Sequence, residues 1–123
     1  MASNTHAYRH YASTPIKSSK DVEIEIILDT TRRLSRAYTT QSTDYARFAL
    51  ALQDNRKLWI TLATDVATSG NLLSADLRAK IFYLAEFTQD YTRKVLSENL
   101  SPEPLLDVNL AILRGLTPDR SIA

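Results

Sequence analysis

The chain has 123 residues, 44% hydrophobic and 24% charged, which suits one domain able to bury its own core. Fifteen Lys and Arg against fourteen Asp and Glu leave a net charge of +1, without the basic excess of a dedicated nucleic-acid binder. Absence of cysteine excludes disulfides, thiol catalysis and zinc–thiolate sites, and no apolar run is long enough to span a membrane.

Residues 1–17 read as a loose arm ending near Pro15. The arm has no apolar stretch of the secretory type, so a cytoplasmic location is expected. His6 and His10 stand four apart, a metal-binding spacing on a helix, but no carboxylate or cysteine neighbours them. Solvated histidines are the plainer reading.

A first helix is expected from Ser18 or Ser19, with Asp21 and Glu23 in its first turn. Its stripe is Ile24, Ile27, Leu28, Thr31, Leu34 and Tyr38, and Arg32, Arg33 and Arg36 crowd its last turns. Val22, Ile24, Ile26 and Leu28 also alternate as in a strand, but the pattern runs too long for one and has no hairpin partner.

Thr39–Thr43 form a polar break, and a second helix is expected over Asp44–Thr68 with Ser42 or Thr43 as its cap. It carries Asn55-Arg56-Lys57-Leu58-Trp59, the most informative run in the chain. Trp59 is read in phase with Tyr45, Phe48, Ala49, Leu52, Ile60, Ala63 and Val66, with Leu58 and Leu62 on an adjacent face. Arg56 borders that stripe, where a guanidinium stacks on an indole or reaches a carboxylate. Trp59 has two readings, core packing or the rim of a partner groove.

A third helix is expected from the Ser74 cap to Glu98, with the stripe Leu77, Ile81, Leu84, Ala85, Thr88, Tyr91 and Val95. Pro102 and Pro104 mark the next break. A fourth helix over 103–115 is apolar on most of its circumference, so it is deeply packed or adhesive. The only glycines, Gly70 and Gly115, sit where helices are expected to end. The expected fold is all-α, a small antiparallel bundle of about four helices over residues 18–117, with a flexible N-terminal arm and a tail over 118–123.

No catalytic, cofactor or metal site emerges. There is no Gly-rich phosphate loop, no G-x-S-x-G elbow and no H-E-x-x-H. Glu86 and Asp90 are neighbours on a helix, but a like-charged pair usually faces solvent. Arg32, Arg33, Arg36, Arg56 and Lys57 form either a basic patch or a solvated face. Asn55 and Asn109, beside apolar stripes, either fix register by buried hydrogen bonds or lie exposed.

The chain resembles the FlaF family of flagellar biosynthesis. The matching residues are Ala7-Tyr8, Asn55-Arg56-Lys57-Leu58-Trp59, Leu77-Arg78, Ile81 with Tyr83-Leu84-Ala85-Glu86-Phe87-Thr88, and Lys94-Val95-Leu96. The ending adds Leu106-Asp107-Val108-Asn109, Ala111-Ile112 and Gly115-Leu116. Members often carry Pro-Arg before the first helix; here Pro15 precedes Ile16 and Lys17. The resemblance implies a non-enzymatic cytoplasmic protein that promotes flagellin synthesis and binds flagellin before export, opposing the translational repressor FlbT. Expected partners are flagellin and, directly or functionally, FlbT; no membrane and no small-molecule substrate is expected.

Joined to the apolar breadth of the second and fourth helices, this points to a groove on those helices holding an amphipathic flagellin helix. The candidate partner-binding residues are Asn55, Arg56, Trp59, Leu106, Asn109, Leu110 and Leu113. The rival reading is a regulator of flagellin mRNA, using the arginine cluster on phosphates.

Overall fold

The computed structural model describes residues 19–68 and 73–116. The arm over 1–17, His6, His10, Gly70 and the tail over 118–123 lie outside these residues. Among these residues there are four helices: α1 (Ser19–Thr39), α2 (Tyr45–Ala67), α3 (Ala75–Glu98) and α4 (Glu103–Leu116). Among the described residues there is no strand, and the alternation over Val22–Leu28 is absorbed into α1.

Local chemistry sets the helix ends. Asp21 in the first turn of α1 and Arg36 in its last complement the helix dipole. The cap of α2 is Asp44, whose carboxylate accepts from the Arg47 N–H at 3.1 Å, not the expected Ser42 or Thr43. The preceding turn accounts for this, since the Thr43 and Asp44 amides both donate to the Thr40 carbonyl and delay the helix. Ser74 caps α3 by accepting from the Leu77 N–H at 3.1 Å. Asn99 ends α3 in the left-handed conformation with φ 55°, which asparagine tolerates better than most residues.

Gly115 does not end a helix as expected; it lies inside the last turn of α4. A Cβ there would stand 3.3 Å from Leu77 Cδ1, so the missing side chain serves the close approach of α4 to α3.

The stripe on α2 is also shifted from the expected one. Its buried residues include Phe48, Leu52, Asn55, Trp59, Leu62 and Val66, a 4-3-4-3-4 spacing. Tyr45 and Ile60 are exposed instead. Alternating steps of four and three are those of knobs-into-holes seams between nearly parallel helix axes. Ile81, Ala85, Thr88, Thr92 and Val95 repeat the rhythm on α3.

Helix α2 packs against α1 and α3, and α4 packs against α1 and α3. The helices thus form a closed ring in which α2 and α4 stand on one diagonal and α1 and α3 on the other. Two apolar clusters fill the centre. One joins Ile27, Trp59, Leu62, Val66, Ile81, Ala85, Ile112 and Leu113. The other joins Leu34, Ala37, Phe48, Ala51, Leu52, Val95 and Leu105. Each cluster therefore takes one half of every helix.

Candidate partner-binding groove

Between the two apolar clusters the core is polar. On every helix a buried polar residue separates the two sets: Thr31 on α1, Asn55 on α2, Thr88 and Thr92 on α3, and Asn109 on α4. Asn109 is the hub. Its Oδ1 accepts from Trp59 Nε1 at 2.7 Å, across the α2–α4 diagonal. Its Nδ2 donates to Asn55 Oδ1 at 2.7 Å and to Thr31 Oγ1 at 3.0 Å. Thr31 donates in turn to the Ile27 carbonyl at 2.6 Å. Three helices are thereby held in one register by a single amide, which is the reading that buried polar residues in helical seams support best. Asn55 Nδ2 and Thr88 Oγ1 are buried without a hydrogen-bond partner.

This arrangement corrects the expected contact surface. Trp59, Asn55 and Asn109 are 0% exposed and Leu113 is 7% exposed, so the native bundle offers none of them to a partner. Trp59 is a core residue with a satisfied indole N–H. Leu106 is half-buried against the second cluster, and only Leu110 on α4 stays well exposed, at 43%. The Arg56 side chain donates to Gln53 Oε1, and its carbonyl accepts from Gln89 Nε2 on α3. Among the described residues α2 and α4 stand on a diagonal of the ring and share no packed face.

The sequence reading missed the concave surface between α1 and α2. A groove of about 440 Å³ opens there. Its apolar lining is Ile26, Leu58 and Leu62, with Thr30 and Thr61 beside them. Ile26 is 48% exposed, although the next residue, Ile27, is fully buried. Charges form the rim: Glu23 and Asp65 at one end, Lys57, Arg33 and Asp54 toward the other.

Arg33 bars the furrow. Its guanidinium reaches Asp54 on α2 at 2.9 Å and Asp29 on its own helix at 3.0 Å. Beyond this bar the furrow continues as a smaller depression of about 160 Å³, lined by Ala37, Arg47, Leu50 and Ala51. Leu50 is 66% exposed at its edge. Glu23 titrates above its ordinary range, chiefly because burial penalises its charge and secondarily because Asp65 is a like-charged neighbour that shares a hydrogen bond with it. Of the five cations read as either a basic patch or a solvated face, Arg33 and Lys57 reach this groove, and there they are interleaved with Glu23, Asp54 and Asp65.

A second depression, about 540 Å³, is lined by Tyr83, Glu86, Phe87, Gln89, Asp90 and Arg93. All six belong to α3, so it has no second helical wall and is a shallow flank, not a groove. Among the described residues no cluster of three or more His, Asp or Glu side chains is placed to hold a metal ion, and no helix is long and apolar enough to cross a membrane.

Residues 4–116 match the model of the family described as flagellar protein FlaF. The chain belongs to the FlaF family. No curated protein and no solved structure matches it. The FlaF match covers all four helices, and with them both the Asn109 network and the α1/α2 groove. It also takes in the residues upstream of α1 from position 4.

Proposed function

We propose that this FlaF-family protein is a non-enzymatic cytoplasmic export chaperone that binds flagellin and so promotes its synthesis and secretion. An amphipathic helix of flagellin lies in the α1/α2 groove, its apolar face on Ile26 and Leu58 above the buried Leu62. The observation that carries this reading is an apolar-floored, two-walled groove with a charged rim on a bundle whose core is otherwise closed. Helix-in-groove recognition needs that combination: anchors that leave water at the centre and polar groups that fix direction at the edge.

A docked helix covers the exposed half of Ile26 and joins the floor residues in a buried strip. Burying an aliphatic side chain fully contributes about 1.5–3 kcal/mol.

Direct action on flagellin mRNA draws less support, because the cations of the groove alternate with acids and the net charge is +1. Opposition to FlbT is then a consequence of holding flagellin. The test is a pull-down with purified flagellin as the only added component, at low and high salt. Ile26→Glu is expected to weaken retention about 10- to 100-fold while far-UV circular dichroism stays unchanged. Wild-type retention should survive high salt. Normal flagellin binding by a folded Ile26→Glu protein overturns the groove, and loss of wild-type binding at high salt shifts the reading toward charge.

A further inference from the structure

The chain carries its own candidate occupant for this groove. Residues 1–18 precede α1 directly and include Tyr8, Tyr11 and Ile16 as apolar side chains. They contain Arg9 and Lys17 and no Asp or Glu. The end of the groove nearest to the start of α1 is the acidic one, formed by Glu23 and Asp65. Opposite charge therefore meets where the segment enters.

The reach is sufficient. From Glu23 to Arg33 the groove follows about 15 Å of α1 at 1.5 Å per residue. Tyr11 is eight residues before Ser19, a span of about 26 Å when extended. Pro15 stops a helix from continuing upstream through it, which favours a change of direction between α1 and the tyrosines. Moreover, positions 4–18 lie inside the stretch that matches the family, so they belong to the FlaF pattern together with the groove.

We propose that residues 1–18 dock into the α1/α2 groove through Tyr8 and Tyr11 and mask it from partners. As a regulatory device this rests on the groove being the flagellin site, but the docking itself does not. A segment tethered this closely acts at an effective concentration of about 1 mM. With an intrinsic dissociation constant of about 0.1 mM, it would weaken an incoming helix roughly tenfold. Such a cover shields Ile26 in the free protein and yields to a helix with more anchors.

The chain has no cysteine, so Ala7→Cys offers a single labelling position. With a nitroxide there, methyl NMR of the full chain should show broadening at Ile26, Leu58 and Leu62. Leu77 and Leu84 on α3, which pack on the same cluster, should keep their signals. Tyr8→Ala/Tyr11→Ala in the labelled protein should remove the selective broadening, and in the unlabelled protein should raise flagellin affinity severalfold. Equal broadening of both methyl sets, or none, overturns the proposal whatever flagellin does. Selective broadening with unchanged flagellin affinity would support the docked segment and remove flagellin from this groove.

Discussion

Replacing Asn109 by Leu keeps the approximate side-chain volume and deletes all three of its hydrogen bonds. Two groups are then stranded in a site that is 0% exposed: the Trp59 indole N–H and Asn55 Oδ1. Thr31 is not stranded, because its hydroxyl still donates to the Ile27 carbonyl. A buried polar group left unpaired costs about 1–3 kcal/mol, so the expected loss is about 2–6 kcal/mol. Against a typical domain stability of about 5–15 kcal/mol this is a large fraction. It lowers the melting temperature by on the order of 10–25 °C.

Asn55→Leu provides the comparison. It removes the unpartnered Nδ2 along with Oδ1, and Asn109 Nδ2 keeps its bond to Thr31. That variant should lose no more than about 1–2 kcal/mol. Urea unfolding followed by circular dichroism and by the fluorescence of the single tryptophan measures both. The network account is refuted if Asn109→Leu costs less than about 0.5 kcal/mol, or less than Asn55→Leu does.

Thr88→Val removes a buried hydroxyl that has no partner, so it should be neutral or stabilising by up to about 1 kcal/mol in the same unfolding assay. A charge at Leu113, which is 7% exposed, should unfold the bundle, whereas Leu110→Glu on the same helix should leave the circular dichroism spectrum unchanged. Glu23 has a folded pKa above its unfolded value of 4.5, so its ionisation opposes folding. The cost is absent below the unfolded value, grows as pH rises from there toward the folded one, and is complete above it. Glu23→Gln should therefore raise the melting temperature at pH 7 and have no effect well below pH 4.5, as scanning calorimetry would record.

Helix number and most helix boundaries were legible because they depend on local chemistry: Ser74 as a cap, Asp21 and Arg36 at the ends of α1, and Pro102 before α4. Thr43 was a plausible cap for α2, but the turn hydrogen bonds at Thr40 moved that role to Asp44. The stripe on α2 was misplaced because Asn55 occupies a core position. A count of apolar residues skips it and drifts toward Tyr45 and Ile60, whereas the seam runs through Leu52, Asn55 and Trp59.

The burial of Asn55, Trp59 and Asn109 escaped the sequence reading for a related reason. The Asn-Arg-Lys-Leu-Trp run is distinctive, yet Asn55 and Trp59 serve the interior and Arg56 serves the α2–α3 contact. Lys57 and Leu58, from the same run, line the groove. Its existence could not be read from one helix, since its walls come from both α1 and α2 and the Arg33–Asp54 pair closes it at one end. The ring order also decided against an α2/α4 surface, and no periodicity encodes which helices become diagonal.

Titrating unlabelled flagellin into isotope-labelled protein, with methyl spectra recorded at each step, addresses the binding surface directly. The account predicts that Ile26, Leu58 and Leu62 shift first and most, while the Trp59 indole proton, held by Asn109 in the closed core, stays in place. Shifts concentrated around the exposed Phe82 and Tyr83 on α3, or at Leu110 on α4, with Ile26 unmoved, would contradict it.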